Sequence, residues 1–413
     1  MVNPSPDLAA LPRPFYLCDL EAAERRLREI EEAFRARFPC TTVACSYKTN
    51  YLPMLLGALH GAGAVAEVVS IMEYELARRL GVAPENIVFN GTGRREHELA
   101  VGLRDGALVM LESWDEVNAA LSWAERHPGA EAPVGLRVAL PVHDGPGRGH
   151  ISRFGFAIEG GELAAAADRI DAGRGLALRA VHAHCSSKTR AVEVFASTGA
   201  ILGAALRLLG PRRIHIVDVG GGLGYSHPAM PMSFPRLTEV AAALHRGLEE
   251  GGVDPRAHRF IVEPGIALVG DSTAYAADVL AVKRRPERSI AVISGGVHTL
   301  KPTRHRHRLP TTLLDAGFRP RVGPEEPWDI VGHTCMEEDL VASDHPLPAI
   351  EPGDVLWFEN VGAYCMVFTP PFIHPGPAVY CVRAGEITQA RQAESFEDVF
   401  ATYRIERPGP ADL

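Results

Sequence analysis

A single lysine, Lys48, stands at the tip of the run VACSYKT, residues 43–49, among small and apolar neighbours. A lysine partly desolvated in such a place has a lowered pKa and suits Schiff-base formation; the plain alternative is a solvated lysine just past a strand. Further on, DVGGGLG sets Gly220, Gly221 and Gly222 in succession. Three consecutive glycines either expose backbone N–H groups that cradle a phosphate or form a flexible turn. The run lacks both the Gly-Lys-Ser/Thr ending of a P-loop and the spacing of a dinucleotide fingerprint. In IVEPGIAL, Glu263 interrupts an apolar strand. A buried carboxylate there needs a cationic ring nitrogen or an arginine, with a structural ion pair as the alternative. His182 and His184 of VHAHCSS alternate along one strand and share a face. A metal pair is one reading, but no carboxylate or cysteine accompanies them at a suitable spacing, so no metal is expected. Stacking of His184 on a planar cofactor explains the position better, beside the reading of a satisfied core histidine.

These residues need a scaffold that gathers them. Between about residues 20 and 270, short β-branched or apolar runs alternate with amphipathic stretches rich in Ala, Leu, Glu and Arg, the signature of βα units. The runs are VACSYKT (43–49), AVAEVVS (64–70), NIVFNG (86–91), ALVMLES (107–113), VGLRVAL (134–140), ALRAVHAHCS (177–186), IHIVDVGGG (214–222) and RFIVEPGIALV (259–269). Eight strands are what a (β/α)8 TIM barrel requires. Lys48, Ser70, Asn90, Ser113, His184, the three glycines and Glu263 all fall at or near the C-terminal end of a run, where barrels build their sites. A doubly wound sheet would concentrate them at one switch point instead. After about residue 270 the helical period fades, and Pro-rich and Gly-rich turns separate SIAVISGG, DVLWFEN and AVYCVRAG. The expectation is a barrel over 20–270 and a mainly β domain over 271–413, joined by the N-terminal strand 13–19 in RPFYLCDL.

Composition narrows the partners. The 413 residues, 46% hydrophobic and 23% charged, allow a large core, and the net charge of −9 leaves no basic footprint for nucleic acid. No apolar run of membrane-spanning length is expected, and the start MVNPSPDLAALPRP has neither the basic nor the apolar region of a signal peptide. The seven cysteines have no CxxC spacing and are read as reduced thiols, and the protein as cytoplasmic.

Taken together, the residues resemble the fold-type III pyridoxal-phosphate (PLP) decarboxylases, the diaminopimelate, ornithine and arginine decarboxylases whose barrel is alanine racemase-like. The resemblance runs from PFYLCDL to beyond GAY. CSYKTN is similar to the family's Y-A-x-K-A-N, which implies that Lys48 holds the cofactor as an aldimine. EVVSIME looks like D-V-x-S-x-x-E and supplies Glu67, Ser70 and Glu73. HAHCSS resembles H-x-H-x-G-S, so His184 would stack on the pyridine ring and Ser187 would approach the phosphate. Gly220, Gly221 and Gly222 match the phosphate-binding loop, and EPG places Glu263 opposite the pyridine nitrogen with Gly265 beside it. LRVAL and SRFG resemble the arginine strand and the K/R-F-G segment through Arg137 and Arg153. GHTCMEED is similar to G-x-x-C-E-S-x-D, the motif that reaches into the neighbouring subunit's site; it implies a homodimer, with Cys335 catalytic and Met336, Glu337 and Asp339 at the substrate. GAY supplies Tyr364 to the phosphate.

The chain also departs from the pattern. EPGR becomes EPGI, so Ile266 replaces a phosphate-binding arginine; Met336 replaces a glutamate; and R-P-x-L-Y becomes KPTRH. The resemblance implies decarboxylation of an amino acid or an amino-acid-derived biosynthetic intermediate, with Lys48 or Cys335 returning the proton. Lys301, Arg304, His305, Arg306 and His307 crowd the segment nearest the distal end of the substrate. With Met336 they suggest a distal acidic group and a specialised route such as siderophore or antibiotic assembly, unless the basic run is a solvated loop. A PLP-dependent racemase and an inactive PLP-binding regulator are the competing readings.

Overall fold

The structure, a computed structural model, describes residues 4–143, 149–185, 191–212, 214–224, 234–303 and 307–406. After β1 (Phe15–Asp19), the chain alternates α1 (Leu20–Arg35), β2 (Thr41–Ser46), α2 (Pro53–Gly61), β3 (Val65–Val68), α3 (Ile71–Arg79), β4 (Ile87–Phe89), α4 (Glu96–Asp105), β5 (Leu108–Leu111), α5 (Trp114–Arg126) and β6 (Ala132–Arg137). A hairpin of β7 (Pro141–His143) and β8 (Gly149–Ile151) interrupts the alternation. It resumes with α6 (Glu162–Ala172), β9 (Leu176–His182), α7 (Val192–Leu209), β10 (Ile216–Asp218), α8 (Leu237–Glu250), β11 (Arg259–Val262) and the short α9 (Ile266–Val269). The eight strands β2, β3, β4, β5, β6, β9, β10 and β11 close into a barrel in that order. Every pairing in it is parallel. The expected (β/α)8 barrel is therefore present, each strand overlapping one of the eight runs; among the run ends, Tyr47–Thr49 forms a short turn and IALV forms α9 where strand was expected.

Side chains fill the barrel's interior: Ala44, Val65, Val88, Leu108, Met110, Ala180, Ile216 and Ile261 form one buried cluster. Gly135 makes room for it, because a Cβ there would lie 2.3 Å from Met110 Sδ. Outside, α7 and α8 meet at near-backbone distance. A Cβ on Gly199 would sit 2.4 Å from Leu244 O, and one on Gly203 2.7 Å from Gly251 Cα. Helix α7 is also long and apolar enough, by composition, to cross a membrane, which corrects the expectation that no such run exists; Phe195, Leu202, Leu206 and Leu209 form part of its buried face.

The barrel unit comprises Leu20–Ser272 and Gly362–Val367. The second unit comprises the chain up to Asp19, Thr273–Val361 and the chain from Phe368 on. Its elements are β1, β12 (Thr273–Arg284), β13 (Ser289–Ile293), α10 (Val297–Leu300), β14 (Thr311–Leu314), β15 (Glu326–Val331), β16 (Leu340–Leu347), β17 (Val355–Phe358), β18 (Ala378–Arg383) and β19 (Glu386–Arg391). Strand β1 lies inside this sheet, antiparallel to β12 and parallel to β18. Phe15, Leu17, Trp357, Phe318 and Tyr380 anchor its core.

The segment Gly362–Val367 differs from a division at residue 270, because it clusters with the barrel. The cause is a close backbone approach: Gly362 N–H donates to Gly270 O at 3.0 Å, and a Cβ on Gly362 would lie 1.8 Å from Val269 O.

Candidate active site

Parallel strands put their C-terminal ends on one rim, and the chemistry gathers there. Strand β2 ends at Ser46, and the short turn Tyr47–Thr49 carries Lys48. The Lys48 ammonium pairs with Glu67 of β3, whose Oε2 also accepts from Ser46 Oγ at 2.5 Å. Asn90, just past β4, donates from Nδ2 to Glu67 Oε1 at 3.0 Å and to Glu263 Oε1 at 2.5 Å. It thereby links the lysine's partner to the carboxylate that follows β11. The other oxygen of Glu263 lies 3.4 Å from His184 Nδ1 and 3.6 Å from His182 Nε2. Gly221 N–H donates to His184 Nδ1 at 3.2 Å, which brings the glycine loop to the same ring.

The electrostatics follow from burial among unlike charges. Burial pulls the Lys48 ammonium down, but the carboxylates of Glu67 and Glu263 outweigh it and hold the amine above its ordinary value. This corrects the expectation of a lowered pKa: both carboxylates come from other strands and are remote in sequence. Glu263, which burial alone would neutralise, is held well below the usual carboxylate range by His182, His184 and Lys48. Asp218, at the end of β10, moves the other way, pushed well above its ordinary value by burial and by the Glu263 charge. The rim thus pushes the two carboxyls in opposite directions, Glu263 toward the anion and Asp218 toward the proton-bound form. Arg137 ends β6; burial lowers its pKa against the pull of Glu263, Glu112, Glu67 and Asp218. Its guanidinium carbon sits 4.6 Å from the Phe154 ring centroid, and that of Arg153 lies 3.9 Å from the same centroid.

The glycine loop is built for close approach. Gly220 and Gly222 have left-handed backbones, with φ of 63° and 81°. A Cβ on Gly221 would fall 2.5 Å from Glu263 O. Gly265 packs against the lysine turn, where a Cβ would lie 2.4 Å from Thr49 Oγ1. Tyr364 returns to the same turn by donating its N–H to Thr49 O at 2.8 Å, and Asn50 Nδ2 donates to Gly362 O at 2.9 Å. Its φ of 66° is uncommon for a side-chain-bearing residue and marks local strain at the rim.

Other expected site residues have local structural roles or belong to the β unit. Ser70 and Ser113 cap α3 and α5, accepting from the N–H groups of Glu73 and Glu116, so their hydroxyls begin helices. Cys335, Met336 and Glu337 are exposed on the β unit, in the loop after β15. Asp339 is buried there and engaged by Val297 N–H at 2.7 Å and Thr334 Oγ at 2.6 Å. Lys301 is buried as well, donating from Nζ to Val341 O at 3.1 Å. Both side chains are held by partners within their own unit, Asp339 by a backbone N–H and the Thr334 hydroxyl, Lys301 by a backbone carbonyl. Ser187, Arg304, His305 and Arg306 lie outside the described residues. Sequence reasoning missed Asn90 as a bridge, and Glu112 and Asp218 altogether.

The rim suits a cationic ring with a phosphate tail. Four buried carboxylates, Glu67, Glu112, Asp218 and Glu263, face the cations Lys48 and Arg137. Among the described residues, Asn90 Oδ1, Glu112 Oε2, Asp218 Oδ2 and both ring nitrogens of His182 are buried without a hydrogen-bond partner. Such groups are satisfied by water, an ion or a polar ligand. His182, His184 and Glu263 also bring three donor atoms within 4.8 Å of one another, a set able to hold a metal ion. That corrects the expectation that no carboxylate accompanies the two histidines, since Glu263 reaches them from β11.

Fold and rim together define an alanine-racemase-like barrel enzyme. Residues 21–270 match the model of the pyridoxal-dependent decarboxylases, specifically their pyridoxal binding domain. The chain belongs to this family: it is a PLP-dependent carboxy-lyase acting on an amino acid or amino-acid-derived intermediate. It is 27% identical over 404 residues to the diaminopimelate decarboxylase of Methanothermobacter thermautotrophicus, covering 94% of this chain and 90% of that one. Its identity to the Helicobacter pylori diaminopimelate decarboxylase is 27% over 411 residues, covering 96% of each. Among solved structures, diaminopimelate decarboxylase from M. jannaschii in complex with L-lysine superposes with a TM-score of 0.85 at 22% identity, covering 97% of this chain and 94% of that one. An arginine decarboxylase from Paramecium bursaria Chlorella virus, bound to agmatine, gives a TM-score of 0.75 at 19% identity, covering 90% and 98%.

Proposed function

We propose that this decarboxylase holds PLP covalently on Lys48, with Glu263 against the ring nitrogen, the Gly220–Gly222 loop and Tyr364 at the phosphate, and His184 on the ring face. The observation that carries this reading is the buried, ionised Glu263, kept anionic one strand away from Lys48. When bound, the cofactor supplies the sink for the electrons of the bond that breaks on loss of carbon dioxide. Glu263 keeps the ring nitrogen protonated and Asn90 holds Glu263 in place. Glu67 would hold a proton on the Lys48 amine once the substrate amine has displaced the lysine from the cofactor, and Arg137 balances the carboxylate excess. No arginine follows EPG, so the glycine loop carries the larger share of phosphate recognition.

The enzyme acts as a homodimer in the cytoplasm. In this reading Cys335 and Met336 serve a second copy's site, where Cys335 or Lys48 returns the proton to the α-carbon; their exposure on a loop fixed by Asp339 supports it. The substrate carries a distal acidic group, in a route such as siderophore or antibiotic assembly. Met336 gives a distal ammonium no counter-charge, and the basic run 304–307 supplies positive charge now that Lys301 is bound to Val341. Carbon dioxide release from diaminopimelate, lysine and ornithine, compared with acidic and N-acylated amino acids, tests this. Preference for the simple diamino acids refutes the substrate class, and failure of every amino acid under full cofactor loading refutes the assignment of the rim residues.

A further inference from the structure

The β unit gathers a second set of ligating side chains that the barrel chemistry does not use. His298 lies on α10, His333 follows β15, and His374 belongs to a segment that folds back through an isolated bridge between Phe372 and His374. All three line one cavity of about 490 Å³, together with Tyr275 and Arg13. The ring centroids of His298 and His333 are 6.1 Å apart, and those of His333 and His374 are 4.4 Å apart.

The backbones that carry these rings are fixed. Asp339 accepts from Val297 N–H, next to His298, at 2.7 Å. It also accepts from Thr334, next to His333, through the N–H at 3.2 Å and the hydroxyl at 2.6 Å. Gly296 and Gly332 leave space for that carboxylate, since a Cβ on either would lie 2.6 Å or 2.0 Å from one of its oxygens. His333 N–H donates to Gly295 O at 3.1 Å, and Thr369 Oγ donates to His298 O at 3.0 Å, which ties in the chain leading to His374. His333 Nε2 is buried and makes no hydrogen bond.

Metal–nitrogen bonds of about 2.0–2.1 Å in a tetrahedral site set the centroids of the ligating imidazoles about 5 Å apart. The separations of these two pairs, 4.4 Å and 6.1 Å, lie on either side of that value, so the three donor atoms converge on one ion only after the side chains rotate. We infer that His298, His333 and His374 form a site for a borderline divalent cation of the Zn²⁺ type, with its fourth position open to water or an anionic oxygen. Asp339 supplies compensating negative charge and sets the backbone of two ligands without binding the ion. The bound ion joins α10, the Phe372–His374 segment and the loop on which Cys335 stands two residues beyond His333.

The test is calorimetric titration of the tag-free, chelator-treated holoenzyme with Zn²⁺. One ion per chain is expected, with affinity reduced about tenfold or more in both His333→Ala and His374→Ala. His374 is exposed, so its variant keeps the fold even if the His333 variant does not. His182→Ala is titrated in parallel because of the His182, His184 and Glu263 set. Binding that disappears in His182→Ala and persists in the other two places the ion in the barrel and overturns the inference, as does the absence of saturable uptake by the wild type.

Discussion

Glu263→Gln removes one charge from the rim while keeping its shape. The carboxylate is 1% exposed and receives Asn90 Nδ2 at 2.5 Å, a bond that the amide oxygen of glutamine still accepts. The amide nitrogen then faces His182 Nε2, a nitrogen without a hydrogen-bond partner, so the fold tolerates the change. What is lost is a charge-assisted hydrogen bond to a protonated ring nitrogen, worth about 1.5–3 kcal/mol. If the whole of it is expressed in the transition state, turnover falls about 10- to 150-fold. Loss of the Glu263 charge also relieves Asp218, whose raised pKa owes to burial and then to that charge. An Asp218 free to ionise offsets part of the loss, so Glu263→Gln/Asp218→Asn should be slower than the single variant. The assay is carbon dioxide release under saturating substrate, with cofactor content read from absorbance and folding from thermal unfolding. A folded, cofactor-loaded Glu263→Gln enzyme turning over within about threefold of wild type would refute the reasoning and reduce Glu263 to a structural ion-pair member.

Ser70→Ala should lower stability by about 1 kcal/mol, the value of a helix N-cap, and leave cofactor affinity unchanged; a loss of cofactor with unchanged stability returns Ser70 to the site. Glu73, pushed up to about 7 by burial from an ordinary 4.5, binds its proton more tightly in the folded state. Its contribution is therefore greatest below the unfolded pKa and is lost as pH rises through the folded one, on the order of 3 kcal/mol in total. Urea titrations at about pH 5 and about pH 8 should show wild type losing that stability relative to Glu73→Gln, and parallel curves would contradict the burial argument. Gly221→Ala, which sets a Cβ 2.5 Å from Glu263 O, should weaken cofactor binding more than it lowers the melting temperature; unchanged affinity would detach the glycine loop from the phosphate.

Local patterns in the sequence carried much of the architecture. The barrel strands are short and apolar, so each of the eight runs overlaps one, and the strand expected over 13–19 forms as Phe15–Asp19 for the same reason. Lys48 and Glu263 were visible because polar groups interrupt apolar strand ends, and Glu67 only through the family resemblance. Ser70 and Ser113 stood out by their place after a strand, and S-I-M-E and S-W-D-E also carry the local signal of the helix N-caps these serines form. The bridging role of Asn90 was hidden, because its partners lie 23 and 173 residues away. The sign of the Lys48 shift failed likewise, since desolvation can be guessed from neighbours in sequence but the opposing carboxylates come from other strands. The return of Gly362–Val367 to the barrel depends on one close backbone approach that no periodicity announces.

The central claim is that Lys48 is the covalent anchor. Borohydride reduction of the holoenzyme, proteolysis and peptide mass mapping test it directly. The account predicts the reduced pyridoxyl group on the peptide bearing Lys48, and none after Lys48→Ala, which also abolishes turnover. Recovery of the label on Lys188 or Lys301, with turnover surviving in Lys48→Ala, would contradict it.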